Sequence, residues 1–386
     1  SLEELELFDS SLPSNFIQVF GPLISLKRLT AIGIDGNNTP PMHDVCEFTN
    51  LQELDMQVFN LKGSLPMCFS NLTSLKMLSL SYNQFSGNIS ILKSLKLLEY
   101  LDLSYSQFSG NISALESLTS LQSLDVSNNK FHIPSSLRPL FNLSKLKYLR
   151  ADNNTIHADD HEMSHSSAPR FQLSFISLSC CGSVGSFPKF LYHQSELQEV
   201  SLSNIYFKED RFPLWLLENN TMLVTLNLVN CSLSGPFQNY FNGSIPSSFG
   251  DMSSLQLLDL SNNQLSGEIP KHMAMGCSSL QFLTLSNNKL QGSIFSGNFN
   301  LTSLLELELN GNNFTGMIPN VLANCSHLYI LDLSNNYIYG EVPSWIWNMS
   351  ELAALDVSRN QLFGRLPQWR GSASNLEQVA MADNQL

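Results

Sequence analysis

The residues best equipped for chemistry lie in one short stretch, HADDHEMSH at 157–165, which offers His157, Asp159, Asp160, His161, Glu162 and His165. Histidines at i and i+4 on a helix could ligate zinc. The plainer reading is a polar loop, because the stretch replaces the second half of a repeat opened by Leu146. Elsewhere serines are abundant, but they recur as "LS" in one repeated context, and none stands out as a nucleophile. No H-E-x-x-H, phosphate-binding glycine loop or C-x-x-C occurs. No catalytic residue, metal site or cofactor is therefore expected, and the chain does not read as an enzyme.

The elements that would carry any site come from a repeat. LLDLSNNQLSGEIP at 257–270 has near copies about every 24 residues. Leucines that open an L-x-x-L-x-L pattern stand at 2, 26, 51, 75, 98, 121, 146, 173, 197, 223, 255, 280, 304, 328, 352 and 376. Such a period signifies a solenoid. Leu255, Leu258 and Leu260 point inward from a short strand, and Asp259 points outward. Asn263 has an amide that both donates and accepts, suited to backbone groups of its turn and of the next coil. Leu265 and Ile269 fill the return, Gly267 allows a tight bend, and Pro270 sits where no ladder N–H is needed. The expected fold is a right-handed leucine-rich-repeat solenoid of about 16 repeats. A concave parallel β-sheet faces an irregular, 3-10-rich convex side, and residues 1–386 form one domain.

The second half of the repeat is informative. It recurs as LKGSLP (61–66), LSGEIP (265–270), FTGMIP (314–319), IYGEVP (338–343) and LFGRLP (362–367). This resembles the plant-specific class of leucine-rich repeats found in extracellular receptors. The irregular middle, with FQLSFISLSCC (171–181), SFPKFLYHQ (186–194) and WLLENNT (215–221), resembles plant receptor-like proteins in particular. The resemblance implies an extracellular ligand-recognition module at the plasma membrane, in defence or development, signalling through a partner receptor kinase. Both ends fall inside repeats, so the chain reads as an uncapped fragment. By the same resemblance, a signal peptide, end caps, membrane helix and short tail lie outside it, and so does membrane contact. A soluble inhibitor of a cell-wall-degrading enzyme is the rival. Sixteen repeats and the 157–172 loop argue against it, since the known inhibitors of that kind are shorter.

The charge of −13 and the lack of a basic patch exclude nucleic acid as a natural partner. Of seven cysteines, Cys181 and Cys231 sit at the repeat's asparagine position, and Cys277 and Cys325 three residues before an opening leucine. These inward phases suit small core residues. Cys46 and Cys68 lie on the return side of adjacent coils, within disulfide reach. Thirteen N-x-S/T sequons occur. Asn71, Asn300, Asn324 and Asn348 share one phase on the convex return and are the expected glycosylation sites, whereas Asn153 and Asn230 should be hidden beside the ladder asparagine.

Counting from each opening leucine, outward positions are one, two, four, six and seven. Between Leu75 and Leu173 they depart from small polar residues. Position two carries Met77, Tyr100, Tyr148 and Phe175, position seven Tyr82 and Tyr105, with Arg150 and Asp152 alongside. Tyr and Arg are favoured in binding hot spots, so this concave stripe is the candidate site for a peptide, protein or wall-derived ligand. Position two also holds Leu257, Phe282 and Ile330, so packing remains an alternative. Finally, the repeat breaks at GPFQNYFNGSIPSSFG (235–250). Cys231 and Asn239 both fit the asparagine position, only eight residues apart. With one strand missing, those near 225–228 and 257–260 should be neighbours, and 236–243 should loop out.

Overall fold

Three leucines per short strand cannot be enclosed by one coil, so each coil must lie against the next. The computed structural model describes residues 2–8, 25–33, 42–58, 60–157, 168–185, 187–207, 212–233, 243–295, 297, 299–366 and 375–386. The chain divides into two compact units, Ser1–Val184 with Pro188–Glu196, and Gly185–Phe187 with Leu197–Leu386. Each is leucine-rich-repeat solenoid.

In the first unit, parallel strands run in chain order: Glu4–Phe8, Arg28–Ile32, Glu53–Gln57, Met77–Ser79, Tyr100–Asp102, Ser123–Asp125, Tyr148–Arg150 and Phe175–Ser177. The second repeats the pattern from Glu199–Ser201 to Gln378–Ala380. The inward leucines are fully buried, as at Leu75, Leu78 and Leu80 or Leu255, Leu258 and Leu260. Each such burial contributes roughly 2 kcal/mol. Beneath them Phe85, Phe108 and Phe131 stack in succession, with centroids 5.8 and 6.2 Å apart.

Past the strand the chain forms short second strands that the hydrophobic pattern does not announce. Lys62–Gly63, Gln84–Gly87, Gln107–Asn111, Lys130–Pro134 and Thr155–His157 pair in parallel in the first unit. Gly267 lies in one of these in the second unit, at φ +80°, where a side chain would be strained. Pro270 then precedes the helix Lys271–Gly276. Pro66, Pro319 and Pro343 likewise precede 3-10 turns at Met67–Asn71, Asn320–Asn324 and Ser344–Asn348. The missing N–H costs nothing there, since a helix's first donors lack intrahelical partners.

The asparagine ladder joins coil to coil, but toward the preceding coil and not the next. Asn263 Nδ2 donates to Leu260 O and Ser261 O of its own turn, at 3.0 and 3.1 Å, and to Leu228 O of the coil before, at 2.8 Å. Its Oδ1 accepts from the N–H groups of Cys231 and Leu233, at 3.0 and 2.9 Å. The direction follows from the turn, which aims the side chain back under the orphaned N–H groups of the earlier coil. Asn83, Asn129, Asn154, Asn312, Asn336 and Asn360 repeat this. Cys181 and Cys231 keep only the donor half, Cys231 Sγ reaching Leu202 O at 2.9 Å. Burial pushes the Cys231 thiol up to about 12, so it stays a neutral donor.

Asn263 makes these contacts across the repeat break. Thr225–Asn227 pairs directly with Leu257–Asp259, as the missing strand requires. Most of the 236–243 excess lies outside the described residues. Ile245 and Phe249 are back in the core.

Replacing Asn263 with alanine strands two buried N–H groups and the carbonyls they oppose. At roughly 1–3 kcal/mol per orphaned buried group, Asn263→Ala should lose about 3 kcal/mol in a denaturant titration. A loss below about 1 kcal/mol would mean the ladder does not couple the coils.

Candidate ligand-recognition face

Register decides which outward residues meet. Position two aligns Met77, Tyr100, Ser123, Tyr148 and Phe175 on successive strands, and position four aligns Ser79, Asp102, Asp125, Arg150 and Ser177. Asp55 precedes Ser79 in that row. All belong to the first unit.

Two aromatic clusters result. Tyr148 and Phe175 stack with centroids 4.2 Å apart and planes 9° from parallel. The Arg150 guanidinium lies 5.8 and 5.1 Å from their centroids, within cation–π range. Arg150 Nε is 3.8 Å from Asp152 Oδ2, an ion pair, yet it is shielded from solvent with no hydrogen-bond partner. Asp152 is fixed by other means, since its Oδ1 accepts from Ser177 Oγ and Ser179 N, each at 2.6 Å. The rings and the charge of Asp152 therefore hold Arg150, whose side chain is 40% exposed.

Tyr82 and Tyr105 form the second cluster, stacked at 4.2 Å and 8°. Position seven is left-handed wherever the structure describes it: Gly33, Val58, Tyr82, Tyr105, Asn128, Asn153 and Cys180 in the first unit, with φ between 52° and 70°. Asparagine and glycine tolerate that conformation, whereas tyrosine and valine resist it. Asparagines here also link side chain to side chain, as Asn153 Nδ2 does to Asn128 Oδ1 at 2.8 Å. Val58, Tyr82 and Tyr105 thus occupy three successive strained positions, 50%, 51% and 47% exposed.

Position six is corrected. Ser81, Ser104 and Ser127 are buried, at 1%, 4% and 2% exposure, so it is not an open row. The chain leaves the strand there, and the position-six N–H turns back onto the position-four carboxylate. Ser104 N and Ser127 N donate to Asp102 and Asp125 at 2.9 Å each. Asp152 is half-buried for the same reason.

Of the 157–165 cluster, His157 ends a short strand and is exposed, while residues 158–165 lie outside the described residues. Among the described residues no group of side chains is placed to hold a metal ion. Cys46 and Cys68 form a disulfide, their Cα atoms 5.7 Å apart. Cys181, Cys231, Cys277 and Cys325 are buried. Asn71, Asn300, Asn324 and Asn348 are exposed. Asn153 and Asn230 are exposed too, so the expectation that folding hides them fails. Their left-handed turn pushes the side chain outward, beside the buried ladder asparagine.

Comparison with known proteins agrees with the period and the ladder. A family model described as "Leucine rich repeat" matches residues 237–290 and 302–362, and another, "Leucine Rich Repeat", matches 120–140. The chain belongs to the leucine-rich-repeat proteins. Its curated relatives are plant receptor-like proteins. It is 33% identical over 267 residues to Cuscuta receptor 1 of Solanum lycopersicum, covering 68% of this chain and 21% of that protein. To Receptor-like protein 13 of Arabidopsis thaliana it is 38% identical over 279 residues, covering 62% and 24%. The leucine-rich repeats here thus span under a quarter of those relatives. Among solved structures it is similar to the Arabidopsis receptor kinase HAESA, in complex with the peptide hormone IDA and the co-receptor SERK1. The TM-score is 0.75 at 29% identity, covering 99% of this chain and 62% of that one. Among the described residues, no helix of this leucine-rich-repeat chain is long and apolar enough to cross a membrane.

If Tyr82 and Tyr105 are kept for contact rather than folding, asparagine should replace them without loss of stability. Lost stacking of about 1 kcal/mol is offset by relief of left-handed strain of similar size. Tyr82→Asn with Tyr105→Asn should leave the melting temperature level or higher, and a fall of several degrees would make the pair a packing device. Expressed in a secretory host, the protein should carry glycans at Asn71, Asn300, Asn324 and Asn348. Glycopeptide mass spectrometry finding these four bare would remove them as modification sites.

Proposed function

We propose that this chain is the ligand-recognition part of a plant cell-surface receptor-like protein. It lies on the extracellular face of the plasma membrane and binds its ligand on the first unit's strand face. It performs no catalysis, and a partner receptor kinase carries the signal inward, in defence or development. The observation that carries this reading is the Tyr148–Phe175 stack with Arg150 laid across it, in register with Tyr100 and Met77. Large rings on a half-covered face, beside a partly exposed guanidinium, are the ingredients of a hot spot. The peptide and co-receptor named with HAESA support the same class of ligand and partner.

The test compares the wild-type chain with Tyr100→Ala/Tyr148→Ala, each immobilised and exposed to plant extracellular washing fluid. Species captured by the wild type should fall tenfold or more on the variant, at an unchanged melting temperature. Equal capture, or a melting temperature lower by many degrees, would make the stripe part of the packing.

A further inference from the structure

The row of position-four side chains holds more negative charge than its turns require. Asp55, Ser79, Asp102 and Asp125 follow one another on adjacent strands. Asp102 and Asp125 each use one oxygen to accept the N–H of their own turn. Asp55 does not. Its Oδ2 takes a bond from Gln57 Nε2 at 3.1 Å, and its Oδ1 is shielded from water with no partner. Ser79, 1% exposed and next in the row, has an unpartnered hydroxyl as well. It is near enough to favour the charged form of Asp55, yet completes no hydrogen bond to it. The row borders Tyr100, which shares a strand with Asp102 and is 37% exposed.

The electrostatics agree. Burial first, then the charges of Asp102, Asp125 and Asp55, push the Tyr100 phenol up to about 12. Burial also raises Asp55 and Asp125, and the charge of Asp102 adds to both. The cations nearby leave this charge in excess. Arg28 is clamped by Glu4 and Lys27 by Glu3, while Arg150, beside Asp152, offsets only Asp125 in the row. Lys76 is exposed just before Met77, and Glu53 adds a further carboxylate.

Resting on the reading of this face as a ligand site, we propose that its ligand is a peptide with basic side chains. Asp55 and Asp102 each face one ammonium or guanidinium group, from peptide residues three apart, with Tyr100 beside the second and Asp125 adding to the field. A cation within about 6 Å of the Tyr100 ring gains cation–π attraction. Its N–H groups face the charge of this carboxylate row, and its methylene stem lies along Met77. Val58, Tyr82 and Tyr105 then flank the peptide backbone. Two strand steps, about 9.6 Å, separate the Asp55 and Asp102 strands. That matches the roughly 9.3 Å between every third residue of a polyproline II segment.

The probe is Lys-Pro-Pro-Lys-Pro-Pro-Lys with blocked ends, titrated calorimetrically into the 386-residue chain at low salt. The same peptide with glutamate for lysine is the control. Asp55→Asn/Asp102→Asn keeps the shape and the turn acceptors while removing charge. Asp332→Asn/Asp356→Asn removes the same charge from equivalent turns beside Ile330 and Ala354, which are not aromatic. The lysine peptide should bind and the glutamate peptide should not. Affinity should fall at least tenfold in Asp55→Asn/Asp102→Asn, under threefold in the second-unit pair, and severalfold in Tyr100→Leu, which also serves if the first variant misfolds. Equal losses in both pairs would mean general attraction to a chain of charge −13, and overturn the proposal. So would no preference between the peptides. If capture from washing fluid needs Tyr100 and Tyr148 but survives Asp55→Asn/Asp102→Asn, the face still binds and the basic class is wrong.

Discussion

A buried amide with five good hydrogen-bond contacts is the interaction on which the rest of this molecule depends. Every coil ends its strand in a turn whose backbone groups face inward, and unmatched groups there would cost about 1–3 kcal/mol each. Asn263 answers five at once, three carbonyls and two N–H groups, in two coils. A side chain that satisfies its own turn and the coil before it also fixes the register between them. In the candidate face Asn83, Asn129 and Asn154 make this contact, while the Tyr100 coil, with Ser106 at that position, is held by Asn129 of the coil after it. Leucine burial drives the stack together, but burial alone would tolerate a slipped coil.

The same contact accounts for the break after Cys231. The stretch between two coils can vary in length provided the next ladder asparagine finds the N–H groups left by the last one. Cys231 N and Leu233 N meet Asn263 at normal distances although 32 and 30 residues intervene. The strand face thus keeps its order across the break. A phase count along the sequence finds the break for this reason, because phase is what the ladder enforces.

How much was legible follows from which rule governs each residue. The inward leucines, the aligned strands and the pairing across the break are set by period, which a sequence displays openly. The stripe residues could be named for the same reason, since Tyr100 and Tyr148 share a phase. What they touch could not be read. The position-six serines looked outward by alternation, and alternation ends where the strand does, two residues earlier. The left-handed turn at position seven leaves only a preference for asparagine as its trace, and Tyr82 and Tyr105 hide even that. The signal was available as a comparison across repeats: two tyrosines stand where seven other coils place Asn128, Asn153, Asn204, Asn230, Asn262, Asn287 and Asn335. The backward reach of the ladder amide depends on the direction of a turn, to which composition and spacing are blind.

The left-handed row also separates two demands on one polypeptide. Its side chains leave the surface from a backbone already bent away from the core, so exchanging one for another disturbs no leucine and no ladder amide. The row behaves as a keyboard mounted on a rigid frame. Each coil presents one key, the backbone holds it at a constant angle, and only glycine-like freedom or a small conformational penalty distinguishes the letters that can be set there. A change in this row alters the presented side chain one coil at a time, at the cost of no more than its left-handed penalty and any asparagine-to-asparagine bond it breaks.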